Sequence, residues 1–303
     1  AEAWRKFRSN SHTPGRKAGK APSQYRREKT MTTNATSSAS ISERGLDKYG
    51  TYVDLSISTE HGKATQRMRW IEPGTFLMGS PDGEEERWRD EGPQHPVTLT
   101  RGYWLADTAC TQALWQAVTG DNPSWFKDDK QNPVEQVSWN QVQEFLRALE
   151  TLLPGIEAGL PTEAQWEYAC RAGTTAAFSF GDQITPAQVN YAGNILYAGG
   201  VKGEYRGRTL PVKSLPANAW GLYEMHGNVD EWCADGLRTY DTTPQQDPLG
   251  PLNSSVRARR GGSWNDLAKD LRSAFRIGYN FDYRYDGLGF RLCLNDSPVL
   301  LRR

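Results

Sequence analysis

The residues with most chemistry to offer crowd together near the C-terminus. Arg260-Gly261-Gly262-Ser263-Trp264-Asn265-Asp266 opens the stretch, Leu271-Arg272-Ser273-Ala274-Phe275-Arg276 continues it, and Gly289-Phe290-Arg291-Leu292 closes it. From Phe275 to Tyr285, five of eleven residues are aromatic, interleaved with Arg, Asp, Asn and Gly. No helical or strand period runs through them. Tyr and Phe supply contact area at small entropic cost, and Asp and Asn supply adaptable hydrogen bonds, which together make recognition chemistry. The competing reading takes the same rings as core plates, and Trp264 and Phe290 are expected in the core either way.

Other chemistries find less support. Cys110, Cys170, Cys233 and Cys293 stand far apart, with no CxxC and no Cys/His pairing, so zinc and redox motifs are missing and buried, inert thiols are expected. The histidines His12, His61, His95 and His226 show no HxxxH spacing for iron or zinc. A serine hydrolase would need a GxSxG elbow, and Ser263 has no evident base.

The chain has 303 residues, 37% of them hydrophobic, enough for one large domain or two ordinary ones. Eleven Trp, thirteen Tyr and 29 Gly point to a loop-rich fold with an aromatic core. Net charge is zero only by cancellation: residues 1 to 40 hold nine Lys/Arg against two Asp/Glu, leaving 27 against 34 from the chain's 36 of each. That basic head is nearly free of aliphatic residues, so residues 1–47 are expected to form a disordered tail, and Met31 is a candidate natural start. Nucleic acid is not an expected partner except through this tail. The sequence has no long apolar run and no apolar leader, which makes the cytoplasm the default location.

The elements that must position the C-terminal stretch can be read from local signals. Two strands are expected between Thr51 and Ser80, with Met68 to Ser80 a hairpin turning at Pro73-Gly74. Val97 to Thr100 and Arg101 to Ala106 follow as strands after a charged loop, Asp82 to Asp90. Thr111 caps a helix from Gln112 to Thr119; Ser138 caps a second with Val142, Phe145, Leu146 and Leu149 on one face. Thr162 with Gln165 forms a capping box for a third, ended by Gly173. From Gly181 to Gly250 regular structure thins out, so a bound cation or buried Trp plates must hold the backbone.

Seven runs in order over about residues 68 to 294 resemble the formylglycine-generating enzyme (sulfatase-modifying factor) family. They are Pro73 to Ser80, His95 to Val97, Asn132 to Trp139, Leu160 to Ala169, Asn218 to Trp232, Arg260 to Trp264, and Gly289 to Leu292. The resemblance implies an α+β, loop-rich variant of the C-type lectin fold over residues 48–298, with 260–292 as its display segment. It also implies structural calcium at Glu224, Gly227, Val229 and Glu231, where carboxylates and backbone carbonyls supply hard oxygens around a turn at Gly227. The alternative is that both carboxylates are ordinary surface or capping groups.

The family's enzymes bind Cu(I) and the substrate thiol through two cysteines a few residues after the Gly-Gly-Ser-aromatic motif, as soft-ligand chemistry requires. From Trp264 to Tyr279 this chain has no cysteine, so copper is not expected and an oxidase acting on a protein cysteine becomes the alternative reading. A structural pseudoenzyme subunit is a third. The segment is also similar to the variable region of diversity-generating retroelement proteins built on this fold. There, mutagenised Asn codons leave residues such as Tyr, Phe, Asp, Gly and Ile in a fixed frame. Asn265, Asp266, Asp270, Phe275, Ile277, Gly278, Tyr279, Phe281, Tyr283, Tyr285 and Asp286 fit that set, and they are the expected ligand-binding residues, with a protein as partner.

Overall fold

A computed structural model describes residues 37–295. In chain order the described strands are β1 Ser38–Ile41, β2 Gly45–Asp47, β3 Gly50–Thr59, β4 Gly62–Ile71, β5 Gly74–Met78, β6 His95–Leu99, β7 Tyr103–Ala106, β8 Ala158–Gly159, β9 Asp230–Trp232, β10 Gln245–Gln246, β11 Val256–Arg260, β12 Ile277–Asn280, β13 Leu288–Gly289 and β14 Cys293–Leu294. The helices are α1 Gln112–Thr119, α2 Trp139–Leu152 and α3 Glu163–Arg171. The fold is α+β: short helices lie among three curled, mostly antiparallel sheets.

Alternation builds the largest sheet. Val53, Leu55 and Ile57 of β3 all point inward while the residues between them do not, as a half-buried strand requires. A two-residue turn, Glu60-His61, joins β3 to β4, with Thr59 opposite Gly62. β4 then pairs with β7, and β7 with β14, so both ends of the domain meet in one sheet.

The hairpin expected from Met68 to Ser80 does not form. β4 stays in the large sheet, whereas β5 leaves it after Pro73 and pairs with β6 in a second sheet. Pro73-Gly74 redirects the chain between sheets because the partners are set by tertiary packing. The expected tail boundary at 47 also moves. Residues 1–36 lie outside those described, but β1 and β2 pair with β3, and Asp47 accepts from Arg69 at 3.0 Å, so the domain begins by Ser38.

All three helix starts fall where side-chain caps dictate: Thr111, Ser138 and Thr162 each accept a backbone N–H of the first turn. The third helix ends one residue earlier than expected, with Ala172 in the left-handed conformation ahead of Gly173. The inward stripe of α2 meets aromatic plates: Phe145 stacks on Trp115 of α1 at 5.1 Å, and both meet Phe290 edge-on at 5.3 and 6.0 Å. Phe290 follows β13, so the core grips the end of the display segment. A four-stranded sheet carries the rest, in the order β12-β11-β9-β13, with Arg257 opposite Tyr279 and Arg259 opposite Ile277.

Candidate ligand-binding surface

Arginines inside the protein set the course of the C-terminal segment. Arg260 pairs with Glu167 and donates to the carbonyls of Ser273, at 2.8 Å, and Phe275. Arg276 is bidentate to Glu163 of α3 at 2.7 and 2.5 Å. Arg272 reaches Glu84 and Glu91, each at 2.6 Å, and Arg291 is bidentate to Glu231 at 2.6 and 2.7 Å. Because these charges are buried, each needs its partner in place, which pins the backbone at each arginine.

Between those pins the expected binding residues fall into three places. The first is a row of rings: Tyr279 stacks on Tyr283 at 4.4 Å, and Tyr283 meets Tyr285 at 5.8 Å, all half-buried against the core. The row stands on Arg259, whose guanidinium lies 4.5 Å from the Tyr279 ring and donates to the Tyr285 hydroxyl at 2.8 Å. That hydroxyl in turn donates to Asp230, which is also paired with Arg259. Tyr285 is therefore an anchor as well as a surface ring. Phe281 is held through its backbone, to Ser255 and Trp139 at 2.9 Å each, with its ring half-exposed. Ile277 and Gly278 lie half-buried on β12. A Cβ on Gly278 would come within 2.5 Å of Val256 and 2.9 Å of Leu237, so this position cannot vary freely as the sequence reading expected.

The second place is the turn after Trp264. Asp266 closes it by accepting the Ser263 amide at 2.8 Å and hydroxyl at 2.7 Å, which leaves Asn265 exposed at its tip. Trp264 is clasped between Phe126, edge-on at 5.4 Å, and Tyr205, nearly parallel at 6.2 Å. Its indole N–H donates to the Asp286 carbonyl at 3.0 Å, and Tyr205 donates to Asn265 at 2.6 Å. Sequence reasoning missed Tyr205, which lies sixty residues from its partners in a stretch with no periodic signal.

The third place corrects the expectation. Phe275 is only 6% exposed and packs edge-on against Trp88 at 6.5 Å, so it belongs to the interior and not to the display surface. Asp270 sits beside the same Trp88, half-buried, its carboxyl pushed up to about 6 chiefly by burial. Neither residue joins the tyrosine row.

Of the residues expected to bind calcium, the two carboxylates differ in what already holds them. Both oxygens of Glu231 are taken, by Arg291 and by the Trp166 indole N–H at 2.7 Å. Glu224 fits a hard cation better. One of its oxygens accepts the Lys213 amide at 2.8 Å, while the other is buried with no hydrogen-bond partner, and burial pushes the carboxyl up to about 8.

All four cysteines are free and buried. Burial pushes Cys170 and Cys293 up to about 12, and Cys110 and Cys233 well above their usual value. Cys170 lies 3.6 Å from His226, yet the pair is not a thiolate with an imidazolium. Burial pulls His226 down to about 4; one ring nitrogen lies 2.7 Å from the Leu271 carbonyl, and the other accepts the Ser179 amide at 3.0 Å.

The sulfatase-modifying factor enzyme 1-like domain matches residues 55–296. The chain belongs to this family. The formylglycine-generating enzyme of Streptomyces coelicolor is 35% identical over 235 residues, covering 71% of this chain and 71% of that protein. Serine/threonine-protein kinase pkn1 of Chlamydia caviae is 32% identical over 254 residues, 74% of this chain but only 37% of the kinase. Among solved structures, Treponema denticola variable protein 1 superposes with a TM-score of 0.65 at 27% identity, covering 79% of this chain and 98% of that one. PvdO from Pseudomonas aeruginosa gives 0.64 at 28% identity, covering 75% and 94%. Both resemblances stated from the sequence, to the family and to variable proteins, are thereby shown, and the fold is C-type lectin-like.

Anchor and free ring should separate in stability. Tyr285→Phe strands Asp230 and Arg259 of a shared partner and is expected to cost about 1–3 kcal/mol in chemical denaturation. Tyr283→Phe removes a hydroxyl without a described hydrogen bond and should cost less than about 0.5 kcal/mol. Equal effects would show that Tyr285 is no anchor.

Proposed function

We propose that this chain is a ligand-binding protein whose C-terminal segment recognises a protein partner, as a variable protein of a diversity-generating retroelement. The observation that carries this reading is the row Tyr279, Tyr283 and Tyr285, whose half-exposed rings are braced from beneath by the Arg259–Asp230 pair. A surface already held in one geometry loses little freedom on binding, and Tyr provides area through few rotatable bonds. Likeness to Treponema denticola variable protein 1 supports it. In a random-peptide display selection, most peptides enriched on the wild-type protein should bind the Tyr279→Ala/Tyr283→Ala double variant at least about tenfold more weakly. Peptides indifferent to the double variant would remove this surface from consideration. Sequencing the gene across clonal populations checks diversification: adenine-linked changes should cluster at the codons for Asn265, Tyr279, Phe281, Tyr283 and Asp286 and spare Phe275 and Gly278. Uniform codons would end that half of the proposal.

The oxidase alternative draws on the 35% identity to the Streptomyces coelicolor enzyme. Against it stand the buried, neutral thiols and the Asp266 and Leu271 side chains that fill the stretch after the Gly-Gly-Ser-Trp motif.

Calcium is retained in a narrower form, as a structural ion at Glu224, where it would supply the partner that the second carboxylate oxygen lacks. Melting temperature should then rise with calcium, fall with a chelator, and lose that dependence in Glu224→Gln. A chelator-insensitive wild-type protein would dispose of the ion.

A further inference from the structure

Beside the tyrosine row, the turn around Trp264 holds a carboxylate that the fold only half uses. Glu135 is 0% exposed. One of its oxygens accepts the amides of Trp125 and Phe126 at 2.6 and 2.9 Å, tying that loop to the domain. The other is buried and has no hydrogen-bond partner. An ionisable oxygen left alone at that depth is expensive, and a ligand donor is one way such a group is satisfied.

The surroundings indicate the sign of the missing donor. Burial pushes Glu135 up to about 7 against the pull of those two amides, and among nearby charges Asp286 acts on it more strongly than the opposing Lys127. The Asp286 side chain has no described hydrogen bond or ion pair of its own, since Trp264 takes only its backbone carbonyl. The backbone sets the two acids in neighbouring segments, since the Gln136 amide donates to the Tyr285 carbonyl at 3.1 Å, and the Asp286 charge also raises Tyr205, after burial. The neighbouring Arg208 is committed to Asp128. Two exposed aromatic residues belong to the same cluster: Tyr205, 40% exposed, whose ring lies 6.2 Å from that of Trp264, and Trp125, 71% exposed, whose amide is held by Glu135.

We propose that Glu135 and Asp286, flanked by Tyr205 and Trp125, form a subsite for a lysine side chain presented by the protein partner. The inference rests on the binding-protein reading and names what one part of that surface recognises. Lysine suits it better than arginine. The acceptors are a single buried oxygen and a separate half-buried carboxylate, not the coplanar pair that a guanidinium fork matches, and a compact ammonium needs no such pair.

The test uses the full chain, labelled with 15N at tryptophan, and follows the indole N–H signals of Trp125 and Trp264. Trp125→Phe assigns the first. The probes are Nα-acetyl-lysine amide and its neutral Nε-acetylated counterpart. The charged probe is expected to shift both signals saturably and the neutral one to leave them still. Asp286→Asn, whose side chain supports nothing in the fold, and Glu135→Gln, which keeps an oxygen for the Trp125 and Phe126 amides, should each weaken the charged probe about fivefold or more. Circular dichroism and melting temperature confirm that each variant is folded. Equal shifts with both probes, no shift with either, or undiminished binding in folded Asp286→Asn would overturn the subsite. If selected peptides still depend on Tyr279 and Tyr283 in that case, the wider binding surface survives; if they do not, it falls on its own evidence.

Discussion

Ion pairs buried between an arginine of the C-terminal segment and a carboxylate from elsewhere in the chain organise this domain. Arg260, Arg272, Arg276 and Arg291 are at most 4% exposed, and their partners come from α3, from the loop before β6 and from β9. Desolvating so many charges gives little net stability, and apolar replacements could in principle pack as well. What the pairs supply is registry. An arginine in the wrong place leaves two uncompensated charges in the interior, so each pair strongly disfavours alternative paths for a segment that has little regular structure to guide it.

This arrangement separates two jobs along one stretch of chain. Residues that turn inward at the arginines fix the backbone, and residues between them can face outward without carrying the fold. The separation is incomplete. Phe275, between Arg272 and Arg276, turns in toward Trp88, and Gly278 is hemmed by Val256 and Leu237. Tyr285 has both roles, since its ring ends the exposed row while its hydroxyl completes the Arg259–Asp230 network. A side chain that stabilises its own scaffold in this way is also rigid when a partner arrives.

Legibility from the sequence followed the range of the interactions involved. Helix starts at Thr111, Ser138 and Thr162 depend on groups within three residues, and local pattern was sufficient to find them. The hairpin at Pro73-Gly74 was misread because turn chemistry says that a chain bends and not where its strands go to pair. The sequence marks Asp82 to Asp90 only as a charged loop, whereas Glu84 and the adjacent Glu91 are counter-ions for Arg272. A signal for that did exist. An arginine set in an apolar run such as Leu271-Arg272-Ser273-Ala274-Phe275 or Gly289-Phe290-Arg291-Leu292 cannot be buried without a carboxylate, so each such run implies one unidentified acidic partner. Glu135, Tyr205 and Trp125 gave no comparable sign, because what places them at Trp264 is contact between segments distant in sequence.

The same physics explains how a fold shared with thiol-oxidising enzymes can serve recognition. In such an enzyme the reactive group must be exposed, ionisable and close to a metal, which asks the loop after the Gly-Gly-Ser motif to carry chemistry. Here that loop is closed by Asp266 on Ser263 and anchored by the buried Leu271, while burial raises the chain's thiols above the usual cysteine range, at Cys170 and Cys233 even against the pull of Arg260. The pairs from Arg260 to Glu167 and from Arg291 to Glu231 lie on either side of that loop and hold its ends. A scaffold whose registry is secured outside its site can hold either reactive groups or contact area there, and on the proposed reading the aromatic row between Tyr279 and Tyr285 is the second of these.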